Sequence, residues 1–410
     1  MTDVKDEGQA VFRRKVFYIP GYDPFHPRRY RELYRKEGRM QARISRYALD
    51  QRPLARKGRY GWQVEGQMEG GQSQVDIEVL VWSDIVKGSM GRGIAATYLQ
   101  LCRTAWAYIG SGALFRLMLL RKGPVIAALY PVIFLLLQLC LAIVVFVAVL
   151  AFNRAVLPAP YGTMIGVVCG LLWGYGLLYL FRRHDRRFFA YYLMHDYAFS
   201  AQKNGANPPE LEARMRAFGR YITEALEGDF DEVLVVGHSS GAHLGVSILA
   251  DLIRAGLPRK TPPLSFLSLG QVVPMLSFLP RADRLRADLN YLCQRDEITW
   301  VDVTAPGDGC AFALCDPVSV SGVAPKEGKR WPLVISAAFT QSLSAKRWAA
   351  LRRRFFRLHF QYLCAFDHPR GYDYFRITAG PKTLGERYAG RAASKSRIDR
   401  AVSGYTNMAA

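Results

Sequence analysis

Acidic side chains are in short supply in this chain of 410 residues. Its 34 aspartates and glutamates stand against 55 lysines and arginines, which leaves a formal net charge of +21. Such an imbalance points to an anionic partner, and nucleic acid and anionic lipid headgroups are the two classes that qualify. Cysteine is sparse as well, and badly arranged for cross-linking. The seven cysteines (Cys102, Cys140, Cys169, Cys293, Cys310, Cys315 and Cys364) are odd in number and include no Cys-x-x-Cys pair. That argues against a disulfide framework and a cysteine-based zinc site, and it suits a reducing compartment; no metal or other cofactor is expected. Residues 1–15 hold no apolar core followed by small residues, so no cleaved signal peptide is expected. Internal repeats are missing. So are a recognition helix, zinc-ligand spacing and the aromatic pattern of RNA-binding sheets, which removes nucleic acid from the expected partners.

What the chain does have is apolar residues, 50% of the total, concentrated in two blocks. Val125 to Phe152 carries no charge, and at about 1.5 Å per residue it reaches ~42 Å, beyond the ~30 Å of a bilayer's hydrocarbon core. Tyr161 to Phe181 reaches ~32 Å by the same arithmetic. Arg116, Arg121 and Lys122 precede the first block, and Arg182, Arg183, Arg186 and Arg187 follow the second, whereas the connection between them holds only Arg154. The positive-inside rule then predicts a two-pass membrane hairpin with both outer flanks, and the rest of the chain, in the cytoplasm. Gly162, Gly166, Gly170 and Gly174 recur every fourth residue and share one helix face. That face permits close packing on the first block, with self-association of two chains as the alternative use. Gly93 to Leu120 is apolar but interrupted by Arg103 and Arg116, and reads as interfacial. Lys346 to Arg357 mixes aromatic and basic side chains, which fits either an interfacial helix on acidic lipid or a solvated helix face. The anionic inner leaflet is therefore the expected partner; oligomeric state is not legible.

Elsewhere short β-branched runs alternate with helical patterns. Strands are expected at 15–20, 60–68, 75–82, 232–236, 264–269, 298–303 and 332–338. Helices are expected at 28–48, 187–201, 208–226, 242–255 and 281–293, with 51–74 a loop or edge hairpin. Alternation of this kind predicts an α/β fold with a mostly parallel central sheet. The expected organisation is a soluble domain made of 1–90 and 191–385, interrupted by a membrane insertion at 91–190 and followed by a loose basic tail at 386–410.

One stretch carries chemistry. Val233 to Val236 is a β-branched strand that breaks into Gly237-His238-Ser239-Ser240-Gly241 and then into a helix with Leu244, Ile248 and Leu252 at helical spacing. Glycines on either side of a serine allow a sharp strand-to-helix turn that lifts the hydroxyl above the sheet. With this turn the chain resembles the α/β-hydrolase superfamily of serine esterases and lipases. The resemblance implies a Ser, acid, His order along the chain, with Ser239 as nucleophile. Asp308, just past the 298–303 strand, is the first candidate for the acid; Asp316 and Asp302 are the others. His359 is the first candidate for the base, and its His-x-x-Tyr setting resembles the region around the base in several lipases; His368 is the other candidate. The N–H of Ser240, together with that of Tyr22 or Gly21 after the first strand, would form the oxyanion hole. His238 fills the variable position of the turn, and His243 supports the following helix.

The function these features imply is a membrane-anchored serine hydrolase that cleaves an acyl ester, lipid-derived in one version, through an acyl-enzyme intermediate. A non-catalytic membrane scaffold of the same shape and an acyltransferase using the same triad are the alternatives.

Overall fold

A computed structural model describes residues 11–54, 59–90 and 93–409. One eight-stranded mixed sheet organises the fold, with strand order β2-β3-β4-β1-β5-β6-β7-β8. The strands are β1 (Phe12–Ile19), β2 (Ala48–Pro53), β3 (Gly61–Met68), β4 (Gly71–Val79), β5 (Glu232–His238), β6 (Leu264–Leu269), β7 (Ile298–Thr304) and β8 (Leu333–Ser336). From β4 across to β8 every pairing is parallel, and only β2 and β3, at one edge, run antiparallel to their neighbours. Strand β5 lies at the centre and is buried along its whole length. Its Val235 sits between Phe17 of β1 and Phe266 of β6. A strand flanked on both sides and covered on both faces has no solvated side, which is why it reads as a continuous apolar run rather than an alternating one.

Helices cover both faces. Helix α1 (Arg28–Ser45) follows β1, and the chain then returns through β2 and the β3–β4 hairpin to complete the sheet's edge. After β4 come α2 (Ile94–Ala105), α3 (Lys122–Val156), α4 (Tyr161–Arg183), α5 (Ala190–Ala201) and α6 (Pro209–Leu226), and only then β5. Helix α7 (Ser240–Arg254) leaves β5 directly, and α8 (Asp283–Leu292) lies between β6 and β7. One apolar core joins α6, α7 and α8 to one face of the sheet. A second lies on the opposite face, where Tyr30 and Tyr34 of α1 meet Tyr374 and Phe375.

Helices α3 and α4 are 35 and 23 residues long, and both are long and apolar enough to cross a membrane. They pack side by side through the glycine face of α4. A Cβ at Gly162 would lie 2.7 Å from the Asn153 carbonyl oxygen, and one at Gly170 would lie 2.7 Å from the Phe146 ring. That face is therefore spent on α3 and is not open to a second copy. The outward faces keep Ile133, Leu137, Val144, Leu172 and Trp173 exposed.

One open alternative is decided and two expectations need correction. Segment 51–74 takes the edge-hairpin form rather than the loop: residues 48–53 form edge strand β2, antiparallel to β3; its polar residues solvate the free edge, so the run lacks apolar alternation. The tail is not loose: Val402 is buried, and Ile398 exchanges backbone hydrogen bonds with Leu314 and Asp316. Residues 346–357 are not one helix. They divide into α9 (Ala345–Leu351) and α10 (Phe355–His359) around Arg352–Arg354. Trp348 and Phe355 are drawn instead against Gly307 and Gly309 of the loop that carries Asp308.

Candidate active site

The turn after β5 shows why its glycines are there. Ser239 sits at φ 57° and ψ −121°, a conformation that L-residues adopt only where the surrounding structure enforces it. A Cβ on Gly241 would stand 2.1 Å from the Ile19 carbonyl oxygen, and one on Gly237 would stand 2.6 Å from that of Gly241. Neither position has room for any other residue. Hydrogen bonding of the Ser239 N–H to the Leu269 carbonyl, at 2.9 Å, ties the strained residue to the end of β6. Gly21, at the end of β1, lies against it: a Cβ there would be 3.0 Å from Ser239 Cβ and 3.4 Å from its hydroxyl oxygen.

Asp308 and His359 are brought together from opposite ends of the C-terminal part of the fold. Strand β7 runs out into a turn closed by the Asp308 N–H on the Ala305 carbonyl. His359 ends α10, and its Nδ1 lies 2.7 Å from Asp308 Oδ2. The same carboxylate accepts from the Tyr362 hydroxyl at 3.0 Å and, on Oδ1, from the Cys310 N–H at 2.9 Å. Burial pushes this carboxyl's pKa up, but the charge and hydrogen bond of His359, with the two further donors, outweigh it and hold the pKa below its ordinary value. Asp308 is thus an anion placed to fix the imidazole with Nε2 free. The rival candidates are elsewhere. Asp316 caps residues 317–320 through the N–H groups of Val318 and Ser319 and pairs with Lys329. Asp302, inside β7, accepts from the Ser268 hydroxyl. His368 is exposed on a loop.

Ser239, His359, Tyr22 and Ser240 line one cavity of about 1080 Å³. No hydrogen bond joins the Ser239 hydroxyl to His359 among the described residues; bonds of this type are commonly long before substrate binds. Nor do the backbone N–H groups of Tyr22 and Ser240 have an acceptor among the described residues. Helix α7 begins at Ser240, so its N–H is one that a helix leaves unsatisfied. The Tyr22 side chain is turned away, packed against Trp82, Tyr192 and Phe199.

Asp308, Cys310 and His359 together form a group that could hold a metal ion. The chemistry of the set opposes it. His359 Nδ1 is already engaged with Asp308, and burial, with the charges of Asp308 and Asp196, pushes the Cys310 thiol well above its ordinary pKa, so it stays protonated.

Three residues to which the sequence reading assigned no part in the site complete it. Tyr362 holds the acid, which gives the His-x-x-Tyr spacing a structural meaning. His238 is buried, and its Nε2 lies 3.0 Å from the His359 carbonyl oxygen. Asp196 of α5 faces the cavity, and burial raises its pKa to about 7. Its only sequence signal is a lone acid in the aromatic run Tyr191–Phe199.

No family model, curated protein or solved structure matches this chain.

Proposed function

We propose that the chain is a membrane-seated serine hydrolase of α/β-hydrolase type that cleaves acyl esters. The observation that carries this reading is the strained Ser239, lifted off the end of β5 into the same cavity as an imidazole whose far nitrogen is held by a buried carboxylate. Each part has a chemical use. His359 Nε2 takes the hydroxyl proton as Ser239 Oγ attacks the acyl carbon, and Asp308 stabilises the imidazolium that forms. The tetrahedral oxyanion is received by the N–H groups of Tyr22 and Ser240. The alcohol leaves with the proton from His359, and water, activated by the same base, releases the acid and restores Ser239.

Membrane seating rests on a second set of observations. The outward faces of α3 and α4 expose large apolar side chains along both helices, far beyond the patches soluble proteins tolerate. Leu99, Trp106, Ile109 and Phe115 before α3 are exposed too, as an interfacial segment would be. Basic flanks favour the cytoplasmic side for the sheet and its cavity. Pro124, near the start of α3, and Arg182 and Arg183, at the end of α4, line the cavity, so its mouth lies at the level of the membrane surface.

The test is covalent labelling of the full-length protein in detergent micelles with a fluorophosphonate. Wild type should label at one serine, and Ser239→Ala should not label at all. Equal labelling of the two would remove Ser239 as nucleophile and the hydrolase reading with it.

A further inference from the structure

The cavity's charge is lopsided in a way that ester hydrolysis alone does not require. Arg182 and Arg183 reach it from the end of α4, Arg186 from the turn just after it, and Arg354 and Arg357 from the start of α10. None of the five has an acidic partner among the described residues. Three of the four acids in the same wall are spent internally, and the fourth, Asp196, is a single carboxyl whose charge burial disfavours, set against five guanidinium groups. Asp23 is bound by Tyr30 and Arg29, Glu37 by the Ala365 N–H and Arg347, and Asp185 by the N–H groups of Tyr191 and Tyr192. Two elements far apart in sequence thus converge on one cavity with guanidinium groups that no ion pair neutralises among the described residues. Guanidinium forks match the oxygens of a phosphate two at a time, whereas a carboxylate or a neutral headgroup would leave most of this charge unpaired. Val272, Met275, Tyr192, Leu193 and Phe356 give the same cavity an apolar wall.

Resting on the hydrolase reading, we infer that the substrate is an acyl ester whose leaving alcohol carries a phosphate, held with its acyl chain on the apolar wall and its phosphate on the arginines around the end of α4 and the start of α10. Attack by Ser239 breaks the ester C–O bond, and the phosphate-bearing alcohol departs with the proton from His359. A bilayer phospholipid and a water-soluble phosphorylated acyl ester share this chemistry.

The experiment compares the full-length protein's kcat/KM on a 1-monoacylglycerol with that on the same molecule phosphorylated at its remaining primary hydroxyl, both in neutral detergent micelles. The phosphorylated ester should be favoured by about tenfold or more, given several charge-assisted pairs. That ratio should fall toward one in the triple variant Arg182→Ala, Arg186→Ala, Arg357→Ala. It should persist in Arg259→Ala, Lys260→Ala, which removes two positive charges from the loop between α7 and β6, outside the cavity. Equal rates on the two esters overturn the inference, as does a ratio that survives the triple variant or is lost equally in the control. If wild type cleaves neither ester, titration of both against Ser239→Ala decides the same comparison by binding, while fluorophosphonate labelling separately decides the hydrolase reading. Presenting the phosphorylated ester in vesicles or as a soluble short-chain form then distinguishes a bilayer source from a cytosolic one.

Discussion

His238 and His359 lie with their ring centroids 4.8 Å apart, and His238 Nε2 is 3.0 Å from the His359 main-chain oxygen. A carbonyl oxygen only accepts, so Nε2 of His238 carries the hydrogen. Burial, reinforced by the charge of His359, lowers the His238 pKa to about 3, which keeps the ring neutral in any ordinary buffer. His238, next to Ser239, therefore pins the backbone of His359, and in the proposed mechanism it acts as a positioning residue. His238→Ala should slow fluorophosphonate labelling and ester kcat by about tenfold or more, the cost of a base misplaced by a fraction of an ångström, with KM nearly unchanged. His238→Gln, which keeps a donor, should recover most of the rate. A rate loss of equal size in both variants, or a loss confined to KM, would contradict the assignment.

Gly241 tests the turn. With a Cβ only 2.1 Å from the Ile19 oxygen, Gly241→Ala forces β1 and the start of α7 apart. Overpacking of this kind costs about 1–3 kcal/mol, and here the displaced atoms also carry Gly21 and Tyr22. Thermal unfolding should drop, and labelling of Ser239 should fall much further than the lost folded fraction explains. A variant that melts early but labels at the wild-type rate would separate the turn from the chemistry.

The features legible in sequence were those set by local demands. Glycines at 237 and 241 around a serine, after a β-branched run, leave little else for the chain to do, and the same holds for two uncharged runs long enough to span a bilayer. Asp308 and His359 were legible through their order along the chain and through the placement of Asp308 just past a strand end. The support around them was not. The His238 bond to His359 joins residues 121 apart, and that of Tyr362 to Asp308 joins residues 54 apart; neither leaves a local pattern. Segment 51–74 stayed open between loop and edge hairpin because a free edge selects polar residues. The tail's packing was hidden because its contacts, among them backbone hydrogen bonds to Leu314, Asp316, Val320 and Val334 and the packing of buried Val402, reach residues far away in sequence and leave no local pattern.

Packing between α3 and α4 is open to a direct comparison of two glycines on one helix. A Cβ on Gly170 would lie 2.7 Å from the Phe146 ring and 3.0 Å from its carbonyl oxygen, whereas one on Gly176 meets nothing within 4 Å. Close backbone approach, rather than a hydrophobic driving force, holds helices together in an apolar solvent. Gly170→Leu should therefore destabilise the detergent-solubilised protein by about 1–3 kcal/mol, read as an earlier thermal transition. Gly176→Leu should leave that transition within error. Equal effects at the two positions would show that the glycine face is not the contact.

Asp302 gives the protein a pH dependence of defined sign. Its Oδ1 accepts from Ser268 at 2.6 Å, while its Oδ2 is buried without a partner. Burial, opposed by the Ser268 bond, raises its pKa to about 8. The unfolded chain ionises this carboxyl near pH ~4. Between those values the folded state holds a proton that the unfolded state has released, so the group's contribution to stability falls as pH rises and levels off above about 8. Asp302→Asn stays neutral throughout. Its stability relative to wild type, from urea denaturation at a series of pH values, should rise by about 1.4 kcal/mol for each pH unit across that window and then plateau. A difference that stays constant from pH ~4 to ~9 would mean that the carboxyl is ionised inside the sheet. That outcome would require a cationic or hydrogen-bonding partner for Oδ2 that the arrangement of β6 and β7 does not provide.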